Sequence, residues 1–218
     1  MEHAEPLPAF LVSRHRARRA SLTAEQRARR AELADLGQRP QAMIIACCDS
    51  RVMVTDVFGL EAGDFFVHRN IANLVPAFTP DGQQHGTSAT IEFAVQTLKV
   101  AHILVLGHYG CGGVKECFAQ HSHPDPTHPP DRTSFVTRWL DILAPQVPGI
   151  LARGLDEDAA LRALEHETIL LSLRNLMTFP FVRAAVEAGT LQLHGTWNDI
   201  REAVLEVYDP ATDSFQKL

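Results

Sequence analysis

The sequence of 218 residues has no apolar run that approaches the length of a bilayer span. Its first six residues, from Met1 to Pro6, lack the apolar core of a secretory signal. There are only 4 cysteines, too few for a disulfide scaffold in a chain of this length. Together these features predict a protein of the reducing cytoplasm with no membrane partner.

Excess positive charge is also missing. A net charge of -6 and a pI near 6.0 give no general reason to expect nucleic acid or an anionic membrane as a partner. Seven arginines do lie between Arg14 and Arg30, but no glycine-rich or aromatic-rich sequence is interleaved with them, and acidic residues dilute them. We therefore interpret residues 1–36 as a helical arm that packs on its own domain or on a partner subunit.

The arm is predicted to form two helices that break near Ser21, with Thr23 capping the second. Residues 37–218 are predicted to form a single domain in which short apolar runs alternate with helical stretches, the pattern of a βαβ protein. The expected fold class is α/β, with a mostly parallel central sheet of about four strands, an antiparallel edge strand and flanking helices. The chain is expected to end in an antiparallel hairpin, and residues 121–130, which contain four prolines, are expected to form a surface loop.

Two of the apolar runs end next to metal-binding side chains. The run from Met43 to Ala46 stops at Cys47, and a second run stops just before His108, with Cys111 three residues further on. Sites in open α/β sheets lie beyond the carboxyl ends of the strands, so these side chains converge if the two strands are neighbours. Two thiolates and one imidazole leave one tetrahedral position of zinc free, as in a catalytic site. We interpret the remaining cysteines, Cys48 and Cys117, as ordinary core residues.

Zinc held by two thiolates keeps little positive charge, so it acidifies a bound water less than a site with three histidines does. Such a site needs help from its neighbours. Asp49, two residues after Cys47, is predicted to accept a hydrogen bond from that water, and Arg51 is predicted to hold Asp49 in a bidentate clamp. An ordinary ion pair is the alternative, and the adjacent thiolate favours the functional interpretation.

Residues 47–51 resemble the Cys-x-Asp-Ser-Arg motif of the β-class carbonic anhydrases, and His108 to Gly113 resembles the His-x-x-Cys-Gly-Gly motif of the same family. The resemblance extends from Gln38 to Trp197 and includes the block from Gly63 to Asn73. It implies a four-stranded parallel core extended by an antiparallel strand. It also implies an arm that embraces a second subunit, and a homodimer that can associate further.

The resemblance implies one Zn²⁺ per subunit and the reversible hydration of carbon dioxide to bicarbonate and a proton. In that reaction zinc hydroxide attacks the carbon, Asp49 orients the nucleophile and Arg51 orients Asp49. The implied substrate-binding residues are a glutamine contributed by a neighbouring subunit, three apolar side chains and a glycine: Gln38, Phe66, Ile71, Phe93 and Gly112.

Some members of the family close their own site when the aspartate moves onto zinc, and bicarbonate stabilises that state from a pocket of Trp, Arg and Tyr. The corresponding positions here carry Ile44, Arg69 and, near the third, Asn198, so only the arginine remains. We therefore expect an open site near neutral pH, as in the plant-type subgroup.

Two other functions stay open at this point. The same site could hydrolyse carbon disulfide or carbonyl sulfide, because selectivity depends on the shape of the channel. A structural zinc protein with a closed fourth position is the other alternative, and the presence of both Asp49 and Arg51 argues against it.

Overall fold

The computed structural model describes residues 3–122 and 131–218, and the chain divides into two compact units, Met1–Gln38 and Arg39–Leu218. The first unit contains helices α1 (Ala9–Ala20) and α2 (Ala24–Leu36). Thr23 caps α2 as predicted: its hydroxyl accepts the Gln26 N–H at 3.1 Å, while the Gln26 side chain accepts the Thr23 N–H at 3.3 Å. The predicted helical arm and its break are confirmed.

The second unit is built on a six-stranded sheet with the order β2-β1-β3-β4-β5-β6. Its first four strands in the chain are parallel, and the last two are antiparallel. The predicted α/β class and the terminal hairpin are confirmed. The strands are β1 (Ala42–Cys47), β2 (Phe65–Asn70), β3 (His102–His108), β4 (Gln192–Asp199), β5 (Val204–Asp209) and β6 (Ser214–Lys217).

The strands are joined by α3 (Val54–Phe58), α4 (Gly86–Glu92), α5 (Gly112–Ser122), α6 (Phe135–Leu140), α7 (Val147–Leu151), α8 (Glu157–Leu176) and α9 (Pro180–Glu187). Helix α4 is α-helical only as far as Glu92 and continues as a π-helical stretch, Phe93–Leu98. The short helix α7 is not apparent in the sequence, because Pro145, Pro148 and Gly149 interrupt the helical pattern. Of the loop predicted at 121–130, residues 121–122 belong to α5 and the rest lie outside the described residues.

Both faces of the parallel sheet are covered. Met43 and Ile45 of β1 pack in a cluster with Ile169 of α8, while Ile44 and Ala46 pack on the opposite face. This two-sided burial explains why β1 is a continuous apolar run rather than an alternating one. No single helix in the described ranges is long and apolar enough to cross a membrane; α8 and α9 meet the requirements of length and composition only together, as a pair bent by 89°.

Candidate active site

The parallel pairing of β1 and β3 brings their last residues to one edge of the sheet. Cys47 is the last residue of β1 and His108 is the last residue of β3, and Ala46 is in register with Leu106. Cys111 stands just before the first residue of α5. All three side chains are buried, so the site predicted beyond the strand ends lies on the inside of the domain.

The separations within this cluster fit a metal ion. The sulfur atoms of Cys47 and Cys111 are 3.9 Å apart, and the three ligand atoms lie within 4.8 Å of one another. Zinc–sulfur bonds of about 2.3 Å in tetrahedral geometry place two sulfurs about 3.8 Å apart. A disulfide would need about 2.0 Å. The pair is therefore spaced as two ligands of one ion.

The ring of His108 is oriented by one hydrogen bond. Its Nδ1 donates to the carbonyl of Tyr109 at 3.0 Å, which leaves Nε2 as the nitrogen that can bind a metal. Within the described residues this Nε2 is buried and has no hydrogen-bond partner. An orphaned, buried lone pair costs free energy, and a metal ion at this position removes that cost.

The pKa values of the two thiols shift in opposite directions. The hydrogen bond from Cys111 lowers the pKa of Cys47 to about 4, with help from His108 and from the backbone N–H groups of Asp49 and Ala72. The same interaction raises the pKa of Cys111, and burial adds to that rise. Cys47 is therefore a ready thiolate, and Cys111 must lose its proton when an ion binds.

The predicted contact between Asp49 and Arg51 is present, and its role toward substrate stays a prediction. The Arg51 guanidinium donates to both oxygens of Asp49, from Nε at 2.9 Å and from Nη2 at 2.7 Å, and the Arg51 backbone N–H adds a further bond of 2.9 Å. These bonds hold the pKa of Asp49 well below its usual range. The aspartate is thus a fixed anion next to the metal cluster.

Arg69 has a structural role in this turn. Its guanidinium donates to the carbonyls of Cys47, Asp49 and Val52 at 2.8 to 2.9 Å, and so it holds the loop that carries the dyad. Ile44, which stands where some members of the family have tryptophan, is fully buried in the sheet.

The predicted substrate-binding residues are placed as follows. Phe66 and Phe93 are in contact, with ring centroids 5.8 Å apart, and Phe93 remains largely exposed. Ile71 lies in the turn that packs against Gly113, and Gly112 has open space around it. Gln38 ends the first unit and is exposed. Their roles toward substrate stay predictions.

One interpretation was wrong and one residue was missed. Cys48 is exposed rather than part of the core, because β1 ends at Cys47 and the chain turns outward; Cys117 is buried as expected. Glu165 of α8 is buried and accepts hydrogen bonds from the Cys111 backbone N–H and the Trp197 indole, both at 3.1 Å. The available signal was a glutamate on the same helical face as Ile169 and Ser172.

Comparisons with known proteins agree with this site. Residues 42–205 match the family model described as carbonic anhydrase. Beta carbonic anhydrase 3 of Arabidopsis thaliana is 33% identical over 175 residues, and the mitochondrial beta carbonic anhydrase 6 of the same plant is 35% identical over 183 residues. The matches cover 79% and 82% of this chain but 66% and 60% of those relatives.

Solved structures show the same fold. The β-carbonic anhydrase CcaA is 27% identical and superposes with a TM-score of 0.86 over 96% of this chain and 91% of that one. CafA of Aspergillus fumigatus is 29% identical, with a TM-score of 0.78 over 92% and 90% of the two chains. A tetrameric enzyme of Sordaria macrospora is 28% identical, with a TM-score of 0.74 over 91% and 94%. The chain belongs to the β-class carbonic anhydrase family.

Proposed function

We propose that this protein catalyses the reversible hydration of carbon dioxide to bicarbonate and a proton, with one Zn²⁺ per subunit held by Cys47, His108 and Cys111. The observation that supports it most is the buried cluster of these three ligands directly beside the Asp49–Arg51 pair. Two thiolates and one imidazole suit zinc among the common metals, and three protein ligands leave one position for chemistry.

The roles of the chain's own residues follow from that arrangement. When bound, zinc supplies the positive charge that makes a water molecule acidic enough to react at neutral pH. Asp49 accepts a hydrogen bond from the attacking water and thereby directs a lone pair of the water oxygen at the carbon of carbon dioxide. Arg51 keeps Asp49 ionised and oriented. The family resemblance assigns Phe66, Ile71 and Phe93 to an apolar wall suited to a small, linear, nonpolar substrate, and Gly112 to the same pocket. Phe66 and Phe93 are in contact, and Phe66 pairs with Met43 rather than with the end of β1.

We propose that the active form is a homodimer or a larger homo-oligomer, in which the arm, residues 1–36, embraces a second subunit. Neither α1 nor α2 buries a residue, although Leu7, Phe10 and Leu36 are apolar and more than half exposed. An exposed apolar helix surface of this kind is typical of a subunit contact. In such an assembly Gln38 would reach the substrate of the neighbouring subunit. Localisation in the cytoplasm stays a prediction.

A stopped-flow assay with a pH indicator tests the reaction. Zinc-loaded protein should hydrate carbon dioxide at a rate that rises with pH, and metal-free protein should be silent. Protein that contains zinc at full stoichiometry yet stays silent at alkaline pH would contradict the proposal and support a structural zinc site. The same assay with carbonyl sulfide and carbon disulfide tests the alternative substrates, since either would be turned over in preference if that alternative held.

A further inference from the structure

A strained turn follows β2 and lies beside the metal cluster. In the turn Ile71–Asn73, Ala72 has φ 59° and ψ 28°, and Asn73 has φ 47°. Left-handed backbone is unfavourable for most residues other than glycine and asparagine, and alanine has no polar side chain that could compensate. A left-handed alanine persists only where the surroundings hold it in place.

Side chains from two helices hold this turn. The Trp139 indole of α6 donates to the carbonyl of Ile71 at 2.9 Å. Ser172 of α8 donates to the carbonyl of Asn73 at 3.0 Å, and the Asn73 amide donates to Thr168 at 3.2 Å. Asn73, Thr168 and Ser172 are almost completely buried, so these bonds do not compete with water.

The turn contacts both loops that carry a thiolate. Ala72 and Cys47 belong to one buried cluster, so the turn packs against the strand end that carries this sulfur. On the other side, the turn packs so closely on the start of α5 that a methyl group on Gly113 would lie 2.7 Å from Cγ2 of Ile71 and 3.2 Å from Cβ of Ala72. Gly113 is two residues after Cys111, so a shift of the turn moves both ligands.

We propose that Trp139 and Ser172 are positioning residues: they clamp the turn Ile71–Asn73 so that it sets the spacing of Cys47 and Cys111. Residues that orient metal ligands set how well those ligands fit the ion. The clamp therefore acts on both the affinity and the geometry of the metal site. This inference rests on the proposed zinc site.

Three variants of the full chain test the clamp. Trp139→Phe removes the indole N–H that donates to Ile71 and keeps an aromatic ring. Ser172→Ala removes the hydroxyl that donates to Asn73, with little change of volume. Thr196→Val is the control, because it removes a buried hydroxyl that donates to a backbone carbonyl in β3 at 3.3 Å, away from the turn. The first readout is the dissociation constant for zinc, measured by competition with a chromophoric chelator. The second is the thiolate-to-metal charge-transfer band of protein loaded with Co²⁺.

We expect Trp139→Phe and Ser172→Ala each to weaken zinc binding by about 10-fold or more, the usual effect of losing a partner of a metal ligand, and to shift the cobalt band. Thr196→Val should change neither. Adding Ala72→Gly to Trp139→Phe should recover several-fold of the affinity for zinc, because glycine adopts the left-handed turn without the clamp.

Zinc binding within two-fold of wild type in both single variants, or an equal loss in Thr196→Val, would overturn the proposal that Trp139 and Ser172 clamp the turn. A double variant as weak as Trp139→Phe alone would also overturn it. Failure of wild-type protein to bind zinc would instead refute the proposed function.

Discussion

The Arg51 side chain connects Asp49 with the loop that carries Cys111. Besides its two bonds to the Asp49 carboxylate, the guanidinium donates from Nη2 to the carbonyl of Gly110 at 3.0 Å. Gly110 directly precedes Cys111, so a single side chain connects the loop after β1 with the loop after β3. The position of the carboxylate is thereby linked to the position of a metal ligand.

Asp49→Asn should therefore keep zinc and lose most of the rate. An amide turns its N–H₂ toward the donors of Arg51 and cannot be held as an anion. Orienting and proton-accepting groups contribute about 10²–10⁴-fold, and we expect a fall in kcat/KM within that range. Zinc content measured on the same sample is the control. A variant within a few-fold of wild type would show that Asp49 only supports the loop.

The ligand assignment is tested by neighbouring cysteines. Cys47→Ala or His108→Ala should remove zinc and activity together, because two remaining protein ligands hold the ion weakly. Cys48→Ser is the matched control and should change neither, since Cys48 is exposed whereas the cluster is buried. Metal analysis of the purified variants gives the answer. Full zinc content in Cys47→Ala would move the ligand to Cys48.

Bicarbonate should inhibit without cooperativity, and the activity should follow a single-proton pH profile. A ligand shifts a conformational equilibrium only if it binds the two states with different affinity. Here the guanidinium of Arg69 is already bonded to three carbonyls, and Ile44 offers no hydrogen-bond donor from its side chain. Inhibition curves near pH 7.5 test this expectation. Sigmoidal inhibition, together with an Asp49 oxygen about 2.0–2.2 Å from zinc in a crystal at that pH, would contradict it.

The protein should lose stability as the pH falls below about 6.5, partly through His166. Burial and, to a smaller extent, the charge of Arg162 lower the pKa of His166 to about 4, although Glu206 lies 3.3 Å from the ring. The unfolded chain then binds a proton that the folded chain does not, so the free energy of unfolding decreases between about pH 6.5 and pH 4. For this one group the loss at pH 5 is about 2 kcal/mol.

Urea unfolding at pH 5 and pH 7.5 measures that loss. His166→Gln should reduce the difference between the two pH values by most of this amount. The control is His15→Gln, because His15 lies on the exposed arm and its removal should leave the pH dependence unchanged. An unaltered difference in His166→Gln would show that the acid sensitivity arises from other groups.

Much of this site can be predicted from local patterns. Cys47 ends one buried strand and precedes Asp49 and Arg51, and His108 ends a second strand and precedes Cys111. The rule for strand ends in parallel sheets therefore brings them together without further information. The cap at Thr23 is equally local, since both of its hydrogen bonds connect residues three positions apart. Features of this kind depend on residues that lie close together in the chain, so they can be predicted from a single sequence.

The supporting contacts are different, because they join residues that are distant in the chain. Glu165 reaches the Cys111 N–H across 54 positions, Trp139 reaches Ile71 across 68, and Ser172 reaches Asn73 across 99. Nothing near Ala72 in the sequence predicts its left-handed backbone, which exists only because α6 and α8 pack against the turn. The sequence alone therefore determined the ligands and the dyad through local motifs. Only the tertiary structure decided which buried side chains hold them, because that choice depends on how the helices pack on the sheet.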